Sequence, residues 1–144
     1  MITQTIEMTQ YDSFGSYQFI KNEELAFVVI TSQILAGSCI QSSTYRHVVF
    51  SDCTFYACDF KGVVFENCIF ENCSFEFSHI KKSVFYNCNF TDCQWTASTS
   101  INSSYQACEL GEDLLKMTET NSNQVKKNQS RDYSTDIYIE LLAA

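Results

Sequence analysis

Eight cysteines and two histidines are the side chains of this sequence with the most chemistry to offer. At 144 residues, that cysteine density would suit either a secreted disulfide scaffold or a zinc site. Zinc requires four tetrahedral ligands with an ordered second shell around them. The pairs Cys53/Cys58, Cys68/Cys73 and Cys88/Cys93 offer two ligands each at one repeated spacing, and neither His47 nor His79 joins them into a familiar ligand set. A catalytic dyad needs two groups in hydrogen-bond contact, and no glycine-rich phosphate loop or spaced histidine–carboxylate motif is present. The sequence reads as non-enzymatic, with no cofactor and no metal.

The cysteines make sense within a frame of five. From Ile20 to Leu110 every fifth residue is a large apolar or aromatic side chain, with one lapse at Ser100. The middle of that frame is Phe50, Phe55, Phe60, Phe65, Phe70, Phe75, Ile80, Phe85, Phe90 and Trp95. Two residues ahead of each stands a second column, which is small from Val28 onward except at Gln33: Ser38, Ser43, Val48, Cys53, Cys58, Val63, Cys68, Cys73, Ser78, Ser83, Cys88, Cys93. A period of five is neither the 3.6 of a helix nor the 2 of a strand, so it signals a repeat architecture.

Units such as Cys53-Thr54-Phe55-Tyr56-Ala57, Cys58-Asp59-Phe60-Lys61-Gly62, Cys68-Ile69-Phe70-Glu71-Asn72 and Cys88-Asn89-Phe90-Thr91-Asp92 carry a small residue, a polar or variable one, a bulky one and two more outward ones. Over about residues 26–110 the chain resembles the pentapeptide-repeat proteins. The resemblance implies an all-β fold, a right-handed quadrilateral β-helix with four pentapeptides to a coil and about four coils, followed by a short C-terminal helix and tail.

Elementary packing agrees with that fold. With two of five side chains inward, each wall buries one large and one small group, which fills a narrow square tube. Coils about 4.8 Å apart satisfy one another's backbone groups. Twenty residues per coil stack Ile30, Phe50, Phe70, Phe90 and Leu110 in one column, Leu35, Phe55, Phe75 and Trp95 in the next, then Ile40, Phe60, Ile80 and Ser100, then Tyr45, Phe65, Phe85 and Tyr105. Offset ring stacking adds to the burial. Ser100 is the weak rung, and the third wall is expected to be loosest there.

Seven cysteines, all but Cys39, fall in the small inward column, where the frame elsewhere places Ser and Val. They read as small core fillers and as free thiols, each pair straddling a corner of the square. Stacking would bring Cys53, Cys73 and Cys93, and separately Cys68, Cys88 and Cys108, within disulfide reach.

Composition narrows the class. There is no proline and 15% of residues are aromatic, which excludes a disordered or collagen-like chain. The longest apolar run, Leu25–Ile30, is too short to cross a membrane, and Met1–Gln10 lacks the features of a signal peptide. A cytoplasmic location is expected, with export as an effector left open.

Function then has to sit on outward positions. The net charge of −8 is spread along the chain, so no basic stripe is expected and direct nucleic-acid binding is not. Glu66, Glu71 and Glu76 follow one another around one coil, and Asp52, Asn72 and Asp92 form a ladder on one side. Such acidity either imitates a nucleic acid or solubilises a β-solenoid. Val29, Val49 and Ile69 form an outward apolar column and Val64 and Val84 another, with Tyr56, Phe77 and Tyr86 also outside the frame. β-propensity, cover by a terminus, or a partner would each explain them.

The expected organisation is an N-terminal cap over 1–25, the repeat over 26–110, and a C-terminal helix and tail over 111–144. A short helix is expected over Glu112–Met117 and a polar, mobile stretch over Asn121–Asp136. Ile137, Tyr138, Ile139, Leu141 and Leu142 return to apolar character and either fold back or join two chains. The Phe-centred, Cys-rich units look most like the quinolone-resistance branch of the family. That likeness implies a dimer joined through its C-terminus that binds and protects a type II topoisomerase by imitating DNA. The other reading is a general protein-interaction scaffold or a secreted bacterial effector module.

Overall fold

A computed structural model describes the backbone of residues 6–7 and residues 16–126 in full. The chain winds as a four-sided solenoid of about five turns built from parallel strands of mostly three residues. Residue i pairs with residue i+20 on every wall: Phe55 with Phe75 and Phe75 with Trp95, Phe60 with Ile80, Phe65 with Phe85, Phe50 with Phe70. The walls are named here by their central residue. The Phe75 wall is a four-stranded sheet and the Ile80 wall a five-stranded one. The Phe70 and Phe85 walls share a sheet, because Glu24–Thr31 and Thr44–Ser51 run as strands around their common corner.

The corners explain how a strand can bend after three residues. The second residue past each large inward side chain takes a positive φ, as at Asn22, Asn67, Asn72, Asn87 and Asn102, near 51–59°, and at Gly37 and Gly62. Asparagine and glycine suit this left-handed conformation. Asp92 departs from the rule. Its corner is a different turn, in which Thr91 N donates to Asn89 Oδ1 at 2.9 Å and Cys93 N to the Phe90 carbonyl at 3.1 Å.

Inside, rings stack along the tube and meet edge-on around it. Phe70 lies 4.8 Å from Phe50 and 4.5 Å from Phe90, both nearly parallel, and 5.5 Å from Phe65 at 64°. The small column does more than fill. Cys73 Sγ donates to the Phe50 carbonyl one coil back at 3.3 Å, and Ser78 Oγ does the same to Phe55 at 3.1 Å while accepting from Cys58 N. Ser and Cys alternate freely there because each is a small donor, a role that volume alone did not reveal.

Three expectations need correction. The Ile80 wall is not loose at its last rung. Ser100 is fully buried and its hydroxyl meets Tyr105 Oη at 2.7 Å and Asn123 Oδ1 at 2.9 Å. The chain also stacks beyond 26–110 in both directions, which makes about five turns rather than four. Phe19–Lys21 pairs with Cys39–Gln41, and Gln124–Lys126 pairs with Ser104–Gln106, so the segment from Asn121 is not simply a free polar stretch. Between them the helix Gly111–Met117 buries Leu114 against the last coil, with Glu112 and Asp113 in its first turn, where the helix dipole favours them.

Candidate functional site

The interior holds no reactive assembly among the described residues. All eight cysteines are free, and no cluster of three metal-ligating side chains occurs. Burial and hydrogen bonding to neighbouring thiols act on the column. The Cys88 thiol is pushed well up by burial, while Cys73, although its bond with Cys53 lowers it, is pushed up to about 12 by its bond with Cys93 and by burial. Thiols held in this way stay protonated and are poor nucleophiles. The gaps between rings are lined only by core side chains such as Phe60, Phe65, Phe70 and Phe75. His47 and His79 stand apart, His47 stacked on Phe27 at 4.6 Å and His79 Nδ1 2.6 Å from Thr99 Oγ1. Among the described residues no helix is long and apolar enough to cross a membrane.

The outward carboxylates do not converge. Glu66, Glu71 and Glu76 lie on three successive walls. Glu66 pairs with Arg46 at 3.1 Å, and both side chains are exposed. Glu71 accepts from Ser51 Oγ, and Asp52 accepts from Asn72 Nδ2 at 2.7 Å. Asp92 belongs to the exceptional corner, so the Asp52–Asn72 ladder loses its regular geometry at the third rung. The outward apolar column is also not a free surface throughout, since Val49 and Ile69 are buried, whereas Val84, Tyr56, Phe77 and Tyr86 are exposed. The apolar C-terminal residues Ile137, Tyr138, Ile139, Leu141 and Leu142 lie outside the described residues.

A basic stripe exists, contrary to the expectation from linear charge. Lys21, Gln41, Lys61 and Lys81 stack in one register on the Ile80 wall, and Lys82 occupies the corner beside Lys81. All four lysines are exposed. The wall's own carboxylate is Asp59, in the neighbouring outward column with Phe19, Cys39 and His79. Charge counted along the chain hides this pattern, because the lysines are twenty or more residues apart in sequence.

The profile of the family described as pentapeptide repeats, in nine copies, matches residues 45–94. That span is built of pentapeptide repeats. The repeat geometry extends on both sides of the matched span, with the same twenty-residue register from Phe19 to Lys126. Among solved structures, a trypsin-treated form of QnrB1, a plasmid-mediated fluoroquinolone resistance protein, aligns over 99% of this chain and 98% of its own at 9% identity and a TM-score of 0.28. The pentapeptide-repeat protein Rfr23 from the cyanobacterium Cyanothece 51142 aligns over 88% and 85% at 9% identity and a TM-score of 0.29. A comparison with curated proteins returns no match.

Proposed function

We propose that this protein is a non-catalytic, protein-binding β-helix. The observation that carries the reading is the filled tube: rings occupy the interior, and chemically varied side chains are presented only on flat outer walls. Flat surfaces of this kind suit macromolecular partners better than small substrates, which favour concave pockets.

The most specific version of this function is protection of a type II topoisomerase by imitation of DNA. It is supported by carboxylates on the Phe85, Phe70 and Phe75 walls, at Glu66, Glu71, Asp52 and Glu76. A supercoiling assay with gyrase and a fluoroquinolone tests it. The protein should preserve supercoiling at drug concentrations that abolish it, and Asp52→Asn with Glu71→Gln and Glu76→Gln should remove that protection. Absence of protection by the unaltered protein would sink the topoisomerase version. In the same reading, Ile137–Leu142 joins two chains, so the intact protein should sediment as a dimer and a chain ending at Ser130 as a monomer.

The alternative, a general interaction scaffold or a secreted effector module, draws support from the uneven distribution of charge. Glu66, Glu71 and Glu76 stand on three walls and the lysine column on the fourth, beside Asp59, so charge is divided unevenly around the tube.

A further inference from the structure

We propose that the Ile80 wall and the corner it shares with the Phe75 wall form a docking track for an acidic, amphipathic, extended segment of another protein. This rests on the protein-binding reading above, but not on topoisomerase as the partner.

Two rows run side by side along the tube axis. One is the lysine column, Lys21, Lys61 and Lys81, with Gln41 completing the register between Lys21 and Lys61. Lys61 and Lys81 are direct neighbours on adjacent strands, an arrangement of like charges that costs stability in a sheet. No carboxylate bridges them among the described residues, so a ligand that brings carboxylates would relieve the repulsion. The other row carries two aromatics, three rungs apart. Tyr17, Gly37, Ala57, Phe77 and Ala97 occupy successive rungs of the corner between the Phe75 and Ile80 walls. Tyr17 is 83% exposed and Phe77 48%, and Phe77 meets Tyr56 edge-on at 5.5 Å. The Tyr17 ring lies over Gly37, where an added Cβ would come within 3.0 Å of it. Phe19, 65% exposed, stands on the wall beside Tyr17.

An extended strand lying along the axis sends alternate side chains left and right. With apolar residues on one side and carboxylates on the other, it would meet the aromatic corner and the lysine column at once. Exposed aromatic side chains are enriched at protein interfaces, and the lysine row adds charge complementarity to an acidic partner.

The same features argue against a nucleic acid. Asp59 lies between the two rows, one outward position from Lys61. A deoxyribose-phosphate backbone offers only acceptors to it, whereas a polypeptide can offer an amide donor. The chain's net charge of −8 also repels a uniformly charged polyanion, while a peptide with a local acidic edge experiences mainly the lysines within a Debye length, about 8 Å at physiological salt.

The test uses the full chain and a short synthetic peptide of alternating Glu and Leu, with a matched Lys/Leu peptide, oligoglutamate and oligothymidylate as comparisons. The Glu/Leu peptide should bind best, and less well as salt rises. Lys61→Gln with Lys81→Gln should weaken it about tenfold. Phe77→Asn, which suits the positive φ of 51° at that corner, should weaken it as well, whereas Lys116→Gln, away from the track, should not. Circular dichroism of each variant separates loss of binding from loss of fold. No binding of the Glu/Leu peptide, binding that the lysine variant leaves unchanged, or tighter binding of oligothymidylate would each overturn the proposal. These substitutions share no residue with those of the gyrase assay, so failure of one reading leaves the other's test intact.

Discussion

The hydroxyls of Ser100 and Tyr105 meet 2.7 Å apart inside the tube, at the rung where the large-residue frame lapses. Tyr105 continues the stack of Phe65 and Phe85, 4.8 Å from Phe85 and parallel within 1°. Its phenol therefore points at the space an aromatic ring would have filled. Asn123, from beyond the helix, closes the cluster by accepting from Ser100 Oγ and donating to the Ser100 carbonyl at 2.8 Å.

That cluster should behave as one unit. Tyr105→Phe removes a buried partner and should cost roughly 1–2 kcal/mol in urea unfolding. Tyr105→Phe with Ser100→Ala should cost less than the sum of the two single changes. Strict additivity would show that the hydroxyls do not interact.

Phe70 and Phe77 separate core from surface. Phe70→Ala leaves a void between two stacked rings and should cost about 3–5 kcal/mol. Phe77, half exposed at a corner, should be far cheaper to replace by Asn. Similar melting temperatures for the two variants would refute the assignment of inward positions.

For the thiols, accessibility should dominate. Cys39 is half-buried on the Ile80 wall and should be labelled in the native protein well before Cys73, which is 1% exposed. A chelator should leave the unfolding curve unchanged. Stoichiometric zinc, or labelling of Cys73 at the rate of Cys39, would contradict a core role.

His47 should make stability pH-dependent. Burial is the main cause lowering its pKa from the usual 6.5, with a smaller raising effect from Glu66. The unfolded chain thus binds the proton more readily than the folded one, so the stabilisation is present above about pH 6.5 and falls as acid protonates the unfolded state. His47→Asn places a residue suited to the left-handed corner next to Asn67, which already accepts from Asn87 at 2.8 Å. Denaturant midpoints measured from pH 5 to 8 should slope less in this variant than in the natural protein. An unchanged slope would assign the dependence to another group.

Much of the fold was legible because a tube with one large and one small inward residue per wall imposes a period on the chain. Phe50 to Trp95 declared themselves by spacing, and their register followed from twenty residues per coil. What stayed hidden depended on neighbours that only the winding creates. The lysine column is invisible to a linear charge count, because Lys21 and Lys61 lie two coils apart. The strand Gln124–Lys126 was masked by the helix before it, although Val125 returns to the frame exactly one coil after Tyr105. Ser100 looked like a defect because the frame records size, and the tyrosine phenol and asparagine amide that complete it differ in kind from a ring. Burial of Val49 and Ile69, both outward by register, was signalled by their apolar character, which did not separate cover from β-propensity.

The strict pairing of each residue with the one twenty places on also limits how such a chain can change length. Loss or gain of one residue would throw the downstream side chains out of the inward frame and expose the core. Loss of a whole pentapeptide would keep large and small residues inward, yet turn everything downstream by a quarter revolution. His79–Lys81 would then stack where Ser74–Glu76 now stands, and the lysine column would break into two half-rows on different walls. In lineages of this chain, insertions and deletions should therefore come in fives when only the fold is under selection, and in twenties when the pattern on the walls is selected too.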